Sequence, residues 1–562
     1  MKHPKLRTTL LATVATLAVV AAVASVAPVV ASDHDHDKDD KGANANQLKT
    51  ATPIKHLVVV FNENRSFDHY FGTYPNALNP EGEPVFEPSK NTPRDINNLL
   101  SNPSLLTNNP NLNPANGAGA SNPFRLDRTQ ANTRSQNHAY TAEQQAYDGG
   151  KLDLFPQFVG RGTAGGAGAF GTTAQTMGIF DGNTVTALWN YAQNYAMSDN
   201  MWGDTYGPST PGLLNMFAGQ TNGIVVGVGT SGNNLPDGQG GVTLIGDIDP
   251  TFDVCSSTTS NVSSTAKNIG DLLNAADVPW GSFYGGFNLQ TINANGTTGC
   301  ARSTQSPVEG TPIVDYIPHH IWNQYFKSTA NPNHLRPTST KAIGFTKVPG
   351  TNKIDPANHN YDLDDFRTAV GAGNFPAVSF IKMAAFQDSH PGNSDPLDEQ
   401  TGLVNLINFL QEQPDWESTA VIVTYDDSDG WYDHAFAKPT QGSFSAADAL
   451  NGTGVCGVPG SEPNGVKGLP VAGRCGPGTR LPLVLISPWA KKNYVDHVFV
   501  TQASIPQFIE DNWLKGERLG GGSFDATTGS IMGLFNFHKK NEIKLILDPD
   551  FGTVDTKKSG HF

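Results

Sequence analysis

Short, uninterrupted apolar runs that stop abruptly at polar residues constrain this chain more than any other feature. Leu57-Val58-Val59-Val60-Phe61 is one, Thr419 to Tyr425 (TAVIVTY) a second, Leu481 to Ile486 (LPLVLI) a third and Pro376 to Ile381 (PAVSFI) a weaker fourth. A continuous run of this length fits a strand buried on both faces, as in a parallel sheet. Between the runs, apolar residues recur at helical spacing: Leu188, Tyr191, Ala192 and Tyr195; Ile269, Leu272, Leu273 and Ala276; Leu403, Leu406, Ile407 and Leu410; Ile505, Phe508, Ile509 and Trp513. Each set lays one apolar stripe along a helix, and Pro506 is tolerated in a first turn. Strands alternating with helices predict an α/β fold, a three-layer αβα sandwich.

The 562 residues read as one large domain over 53–562, with long loop insertions near 80–135 and 223–345. Residues 80–135 are dense in Asn, Pro, Gly and Ser and keep no period, which marks a loop. Ahead of the domain, Lys2, Lys5 and Arg7 precede an uncharged stretch from Leu10 to Val30, and Ala31 ends it. That order predicts a secretory signal peptide over 1–31; the alternative is an uncleaved anchor, since the run is long enough to span a bilayer. Nothing later is, so no stable membrane anchor is expected after cleavage, and the product would be secreted or periplasmic. Residues 32–52, opening SDHDHDKDDK, read as a charged flexible linker. The net charge of −15 disfavours a nucleic-acid partner, which needs a basic face. Four cysteines suit export; pairing Cys255 with Cys300 and Cys456 with Cys475 closes the shortest loops. A four-thiolate zinc site lacks its close cysteine spacing.

In an open α/β sheet, ligands bind beyond the carboxyl ends of the strands. The first run leads into Asn62-Glu63-Asn64-Arg65-Ser66 and the second into Asp426-Asp427-Ser428-Asp429-Gly430. Glu63, Asn64, Asp426 and Asp427 therefore arrive at one edge, and hard oxygen donors suit a divalent metal; capping of turns is the plainer alternative. Adjacent aspartates reach one ion only if the backbone turns, and Ser428-Asp429-Gly430 supplies turn chemistry. Tyr206-Gly207-Pro208-Ser209-Thr210-Pro211-Gly212 holds a hydroxyl on a constrained turn before a candidate helix, where oriented N–H groups favour an anion; on spacing alone an ordinary Pro/Gly loop is the plainer alternative. It is not a G-x-S-x-G elbow. His138, the adjacent His319 and His320, His390 and His434 stand in loops.

Together these segments resemble the bacterial phosphoesterase family, which contains the secreted non-specific phospholipases C and the AcpA-type acid phosphatases and belongs to the alkaline phosphatase superfamily. The motifs are NENRSFDHYFGTYP from Asn62, NHAYTAEQQAYDGGKLDLF from Asn137, YGPSTPGLLN from Tyr206, YIPHHIWNQYF from Tyr316, Phe380 to Pro391, TYDDSDGWYDH from Thr424 and RLPLVLISPWAK from Arg480. The resemblance implies an alkaline-phosphatase-like sandwich, one divalent metal ion of unspecified identity, and a hydroxyl nucleophile. It assigns Glu63, Asn64, Asp426 and Asp427 to the metal. Ser209 becomes the nucleophile, also on the metal. His138, His319, His320 and His390 would line the phosphate pocket, and His434 is read as structural.

The implied substrate is a phosphorylated small molecule or lipid. An acid phosphatase acting through a phosphoserine is the favoured reading. The chain is shorter than the phospholipases C with extra carboxy-terminal domains, its acidic motif reads Tyr-Asp-Asp rather than Tyr-Asp-Glu, and Pro318-His319-His320 looks like the phosphatase branch. Phospholipase C acting on phosphatidylcholine-type diesters is the alternative. A non-catalytic secreted binding protein would be expected to have lost Ser209 or a carboxylate, and a sulfatase needs an Arg that Gly207 to Pro211 lacks.

Overall fold

The structure is a computed structural model that describes residues 44–161, 171–229 and 232–561. The expected leader, 1–31, lies outside the described residues, as does most of the expected linker. What is described of the linker is not free: Ala45 is buried, and Asn46 donates to Asp415 at 2.6 Å and accepts at 3.1 Å from the His56 ring.

The central sheet has nine strands: β1 (His56–Asn62), β2 (Ala196–Trp202), β3 (Trp280–Tyr284), β4 (Asn360–Asp362), β5 (Val378–Lys382), β6 (Thr419–Tyr425), β7 (Arg480–Ile486), β8 (Tyr494–Asp496) and β9 (Val500–Thr501). Their spatial order is β4-β3-β5-β1-β6-β7-β2-β8, with β9 also on β2. β1 lies between β5 and β6, parallel to both, and all seven of its residues are buried. The third apolar run departs from the expectation of a parallel sheet: β7 is antiparallel to both β6 and β2. A strand covered on both faces reads the same in either direction, so its composition carries no sign of this. Its pairing with β2 shifts between Leu481 and Leu483, where Pro482 has no N–H to give.

The helices that frame the site are α1 (Phe67–Phe71), α2 (Tyr140–Tyr147), α3 (Thr186–Asn194), α4 (Ser209–Ala218), α5 (Ile269–Ala275), α6 (Pro396–Gln411) and α7 (Ser504–Trp513). Neighbouring residues of β1 show that they form two layers. Phe61 meets Trp322 edge-on, and Trp322 and Phe380 pack on Phe217 of α4. Asn62, which points the other way, donates to Glu399 of α6 at 2.8 Å. α3 joins α6, with Ala187 N donating to Gln400, while α4 packs on α5 and α7. The result is the expected α/β sandwich around a mixed sheet.

The span 223–345 is not a single insertion, because it contributes α5 and β3 to the domain core. Gly281 and Ser282 interrupt the apolar run of β3 and hid it in the sequence. The disulfides join Cys255 to Cys300 and Cys456 to Cys475.

Candidate active site

Because β1, β5 and β6 are parallel, their carboxyl ends share one edge of the sheet, and antiparallel β7 brings its first residue, Arg480, to the same edge. Glu63 and Asn64 follow β1, Lys382 ends β5, and Asp426 and Asp427 follow β6. α4 enters this edge with Ser209 as its first residue. Two glycines allow the approach. Gly207 has φ +119°, which only glycine adopts without strain. Gly212 lies so close to β6 that a Cβ would sit 2.2 Å from the Asp426 carbonyl oxygen. Ser209 Oγ then lies 2.9 Å from Glu63 Oε2 and 3.3 Å from Asp427 Oδ2.

The backbone around these groups is strained. Asn64 (φ +53°), Asp429 (φ +51°) and Ser389 (φ +83°) are non-glycine residues in the left-handed region, each costing of order 1–3 kcal/mol. The turn at Asn64 aims its own N–H at Asp426 Oδ1, at 3.0 Å. Its carboxamide end reaches Glu63 Oε2 at 2.6 Å and Asp426 Oδ1 at 3.1 Å. Asp426 Oδ2 is buried with no hydrogen-bond partner. Burial pushes the Asp426 carboxyl well above the usual carboxylate range, and the Glu63 charge adds to this; burial and then Asp426 do the same to Asp427. Carboxylates and a carboxamide crowded together, with an orphaned oxygen among them, are a donor set that fits a hard divalent cation.

Sequence reasoning missed a cation that belongs to the chain. Lys382 Nζ contacts Glu63 Oε1, and both side chains are buried. The only sign of it was a charged residue ending the fourth apolar run. His320 Nδ1 lies 3.1 Å from the same oxygen and 3.7 Å from Asp388 Oδ2. Burial pushes Asp388 up to about 7, against the pull of Lys382. Glu143 of α2 was also missed. It accepts from Gly207 N at 3.0 Å and Ser428 Oγ at 2.9 Å, bracing the serine turn against the aspartate turn, and burial raises it to about 7.

The four histidines converge. Ring centroids are 4.5 Å apart for His319 and His320, 5.9 Å for His320 and His390, and 6.2 Å for His138 and His390. They split into two kinds. Burial works against a charge on His138, but Asp427 and Asp429 outweigh it and hold the ring well above its ordinary value; Asp429 Oδ1 is 3.0 Å away. His319 is likewise raised, burial being outweighed chiefly by Asp249 and Asp247. His320 is pushed well down by burial and then by His319 and Lys382, and His390 is lowered by burial. His434 stands apart, its Nδ1 2.6 Å from Asp68 Oδ2. Asp253, Cys255 and His334 also cluster, but Cys255 is bound in a disulfide and offers no thiolate.

Fold and site thus define an α/β protein with a hydroxyl, carboxylate and imidazole centre at the carboxyl edge of its sheet. Residues 54–514 match the model of the Phosphoesterase family, and the chain belongs to that family. It is 21% identical over 518 residues to a non-hemolytic phospholipase C of Pseudomonas aeruginosa, covering 89% of this chain and 60% of that protein's length. It is 24% identical over 452 residues to phospholipase C A of Mycobacterium tuberculosis, covering 78% and 69%. A solved structure of an alkaline phosphatase superfamily protein from Vibrio parahaemolyticus overlaps with TM-score 0.27 at 12% identity, over 79% of this chain and 82% of that one.

Proposed function

We propose that the protein hydrolyses phosphate monoesters as an acid phosphatase, with Ser209 as nucleophile. The observation that carries this reading is the seat of Ser209 Oγ, at the head of α4 and between Glu63 and Asp427. Oriented N–H groups at a helix start favour an anion there. Glu63, Asn64, Asp426 and Asp427, with the Ser209 hydroxyl itself, would hold one divalent cation, which when bound lowers the serine pKa and neutralises phosphoryl charge.

The chain's own groups supply the rest. Ser209 Oγ gives its proton to the Glu63 or Asp427 carboxylate it contacts and bonds to phosphorus as the ester P–O bond breaks, leaving a phosphoserine. His138 or His319, held protonated by neighbouring aspartates, gives a proton to the departing oxygen. Water then cleaves the phosphoserine, passing one proton back to the ring, while the carboxylate returns the other to Ser209 Oγ and restores its hydroxyl. His320 and His390, held neutral, line the pocket where the equatorial oxygens lie.

The polar rim supports a water-soluble monoester. His319 pairs with Asp249 at 3.4 Å, and Arg161 donates to Asn137, next to His138, at 3.1 Å. A second reading, phospholipase C, draws on the curated relatives, which carry that name. The leader-like segment at 1–31 and two disulfides support export to an oxidising compartment. No described helix is long and apolar enough to cross a membrane.

The test compares hydrolysis of p-nitrophenyl phosphate with p-nitrophenyl phosphorylcholine at mildly acid and neutral pH. A preference for the monoester that Ser209→Ala abolishes supports the phosphatase. A preference for the diester moves the assignment to phospholipase C, and full activity of Ser209→Ala overturns both.

A further inference from the structure

Glu399 lies in the first turn of α6, in the helix layer opposite α4, and is buried. Three separate segments meet at its carboxylate. Oε1 accepts from Asn62 Nδ2 at 2.8 Å and from the Tyr425 hydroxyl at 2.6 Å. Oε2 accepts from the Tyr70 hydroxyl of α1 at 2.9 Å. The Tyr70 oxygen is also 2.9 Å from Ser389 Oγ, which accepts from Arg65 Nε at 2.8 Å. With one donated bond for each hydroxyl, the chain runs from Arg65 to Ser389 to Tyr70 to Glu399, a buried guanidinium at one end and a buried carboxylate at the other.

These contacts end one residue short of groups that the proposed reaction uses. Asn62 and Tyr425 are paired at the ends of β1 and β6 and precede Glu63 and Asp426. Ser389 precedes His390. Successive strand residues face opposite sides, so a bond that pins Asn62 and Tyr425 towards α6 fixes how the chain leaves each strand. The side chains of Asn62 and Tyr425 make no other hydrogen bond among the described residues, and Asn62 Oδ1 has no partner. Ser389 has φ +83°, and a non-glycine residue stays there only where its surroundings hold it. Tyr70 and Arg65 hold its side chain, and Arg65 its carbonyl. A buried glutamate could be satisfied from its own helix; all three donors to this one come from segments that lead into the site.

We propose that Glu399 is a positioning residue for the reaction. It sets the relative placement of Glu63, Asp426 and His390 by clamping Asn62 and Tyr425 directly and Ser389 through Tyr70. The proposal rests on the phosphoesterase reading above for the roles of those three groups. Truncating Glu399 leaves an amide and two hydroxyls buried without their acceptor.

The experiment compares Glu399→Ala, Glu399→Gln and Leu403→Ala in the full chain, at a temperature where all are folded. Leu403 is buried one turn further along α6, so its truncation lowers stability without removing a hydrogen bond. On whichever of the two p-nitrophenyl esters the wild type hydrolyses, Glu399→Ala should lower kcat about 10²-fold, the cost of a small misplacement, with KM changed less than about threefold. A Gln side chain can keep each contact, its amide donating to Tyr70, which then donates to Ser389; Glu399→Gln should recover most of kcat, and Leu403→Ala should keep it. Hydrogen exchange gives a readout independent of turnover. In Glu399→Ala the amides of 62–64, 389–391 and 425–427 should exchange faster together, and Leu403→Ala should not reproduce this.

The proposal is overturned if Glu399→Ala loses no more kcat than Leu403→Ala, or if exchange in the three segments is unchanged. It is equally overturned if Glu399→Gln is as poor as Glu399→Ala, because charge rather than contact would then matter. A wild type that hydrolyses neither ester would end the functional reading, and exchange alone would decide the placement. Should Glu399→Ala fail to fold, Tyr425→Phe and Tyr70→Phe each remove one arm. Faster exchange confined to 425–427 in the first and to 389–391 in the second is then expected, and no change in either is the result against it.

Discussion

Two acidic clusters sit on the same edge of the sheet, built from the same two strand exits, and they are settled in opposite ways. Asp68, just inside α1, and Asp433, a few residues past β6, meet Arg480 at the start of β7; His434 closes the set on Asp68. Asp68 also accepts from His434 N at 2.8 Å, and Asp433 from Asp68 N at 3.1 Å and Ala435 N at 2.8 Å. In this cluster every charge has its counter-charge within the chain. Glu63, Asp426 and Asp427 lie a short step back along the same segments. Lys382 answers one of them, Asp426 keeps an orphaned oxygen, and left-handed Asn64 and Asp429 add strain. Residue types do not separate the two clusters; the balance of charge does. A cluster whose charges are matched within the chain can hold the fold, whereas the unmatched one is where the proposed cation and anionic ester would find a place.

The largest test of that contrast is chemical. Ser209→Ala should cut turnover by at least about 10³-fold, since removing a nucleophile leaves only what the rest of the site does. Its melting temperature should stay near that of the wild type, because Oγ bonds only to the open cluster. A loss of less than tenfold in steady-state phosphatase assays would remove Ser209 from the reaction.

Next comes the closed cluster. Arg480→Met strands two buried carboxylates and should destabilise the protein by about 3–5 kcal/mol, read as a lowered urea midpoint. Arg480→Lys should recover part of it by restoring the charge without the fork. If Arg480→Met unfolds at the wild-type midpoint, the cluster is not the anchor described here. Asp426→Asn and Asp427→Asn should do the reverse in chelator-treated protein, raising stability by on the order of 1 kcal/mol while lowering activity, as expected where a site is held at a cost to stability. Chelator itself should lower wild-type activity, and added divalent ions should restore it. An Asp427→Asn variant that melts well below the wild type without metal would erase the distinction between the clusters.

Much of this was legible in the sequence because buried strands leave unbroken apolar runs and their ends are where polar residues gather. Glu63, Asn64, Asp426 and Asp427 were found that way. Ser209 was singled out as a hydroxyl on a turn rich in glycine and proline, a pattern that an ordinary loop shares, and its assignment as nucleophile came from the family resemblance. The edges of the sheet were not legible. β2 carries Ser198, Asp199 and Asn200, and β3 carries Gly281 and Ser282, so neither shows a run. Lys382 and Glu143 escaped for another reason: a lysine ending a strand and a glutamate within a helix are ordinary on the surface, and only burial makes them part of the site.

The smallest expected effect tests whether the closed cluster titrates as one unit. Burial opposes a charge on His434, but Asp68 outweighs it and raises the ring above 6.5. The stability this pairing contributes is therefore present below the unfolded value and lost as pH rises through the folded one. Asp68 is shifted the other way: burial opposes its charge, but His434 and Arg480 outweigh it and lower the carboxyl below 3.8, so its contribution is lost only as pH falls through that lowered value. The cluster should hold best at mildly acid pH. His434→Gln, which keeps a hydrogen-bond donor without the charge, should flatten the decline in melting temperature on the alkaline side of that range and leave the strongly acid limb in place. Arg480 supplies the permanent charge, so the change should be a small part of what Arg480→Met costs. Superimposable pH profiles for wild type and His434→Gln would mean that the histidine is only a spacer and that Arg480 alone closes the cluster.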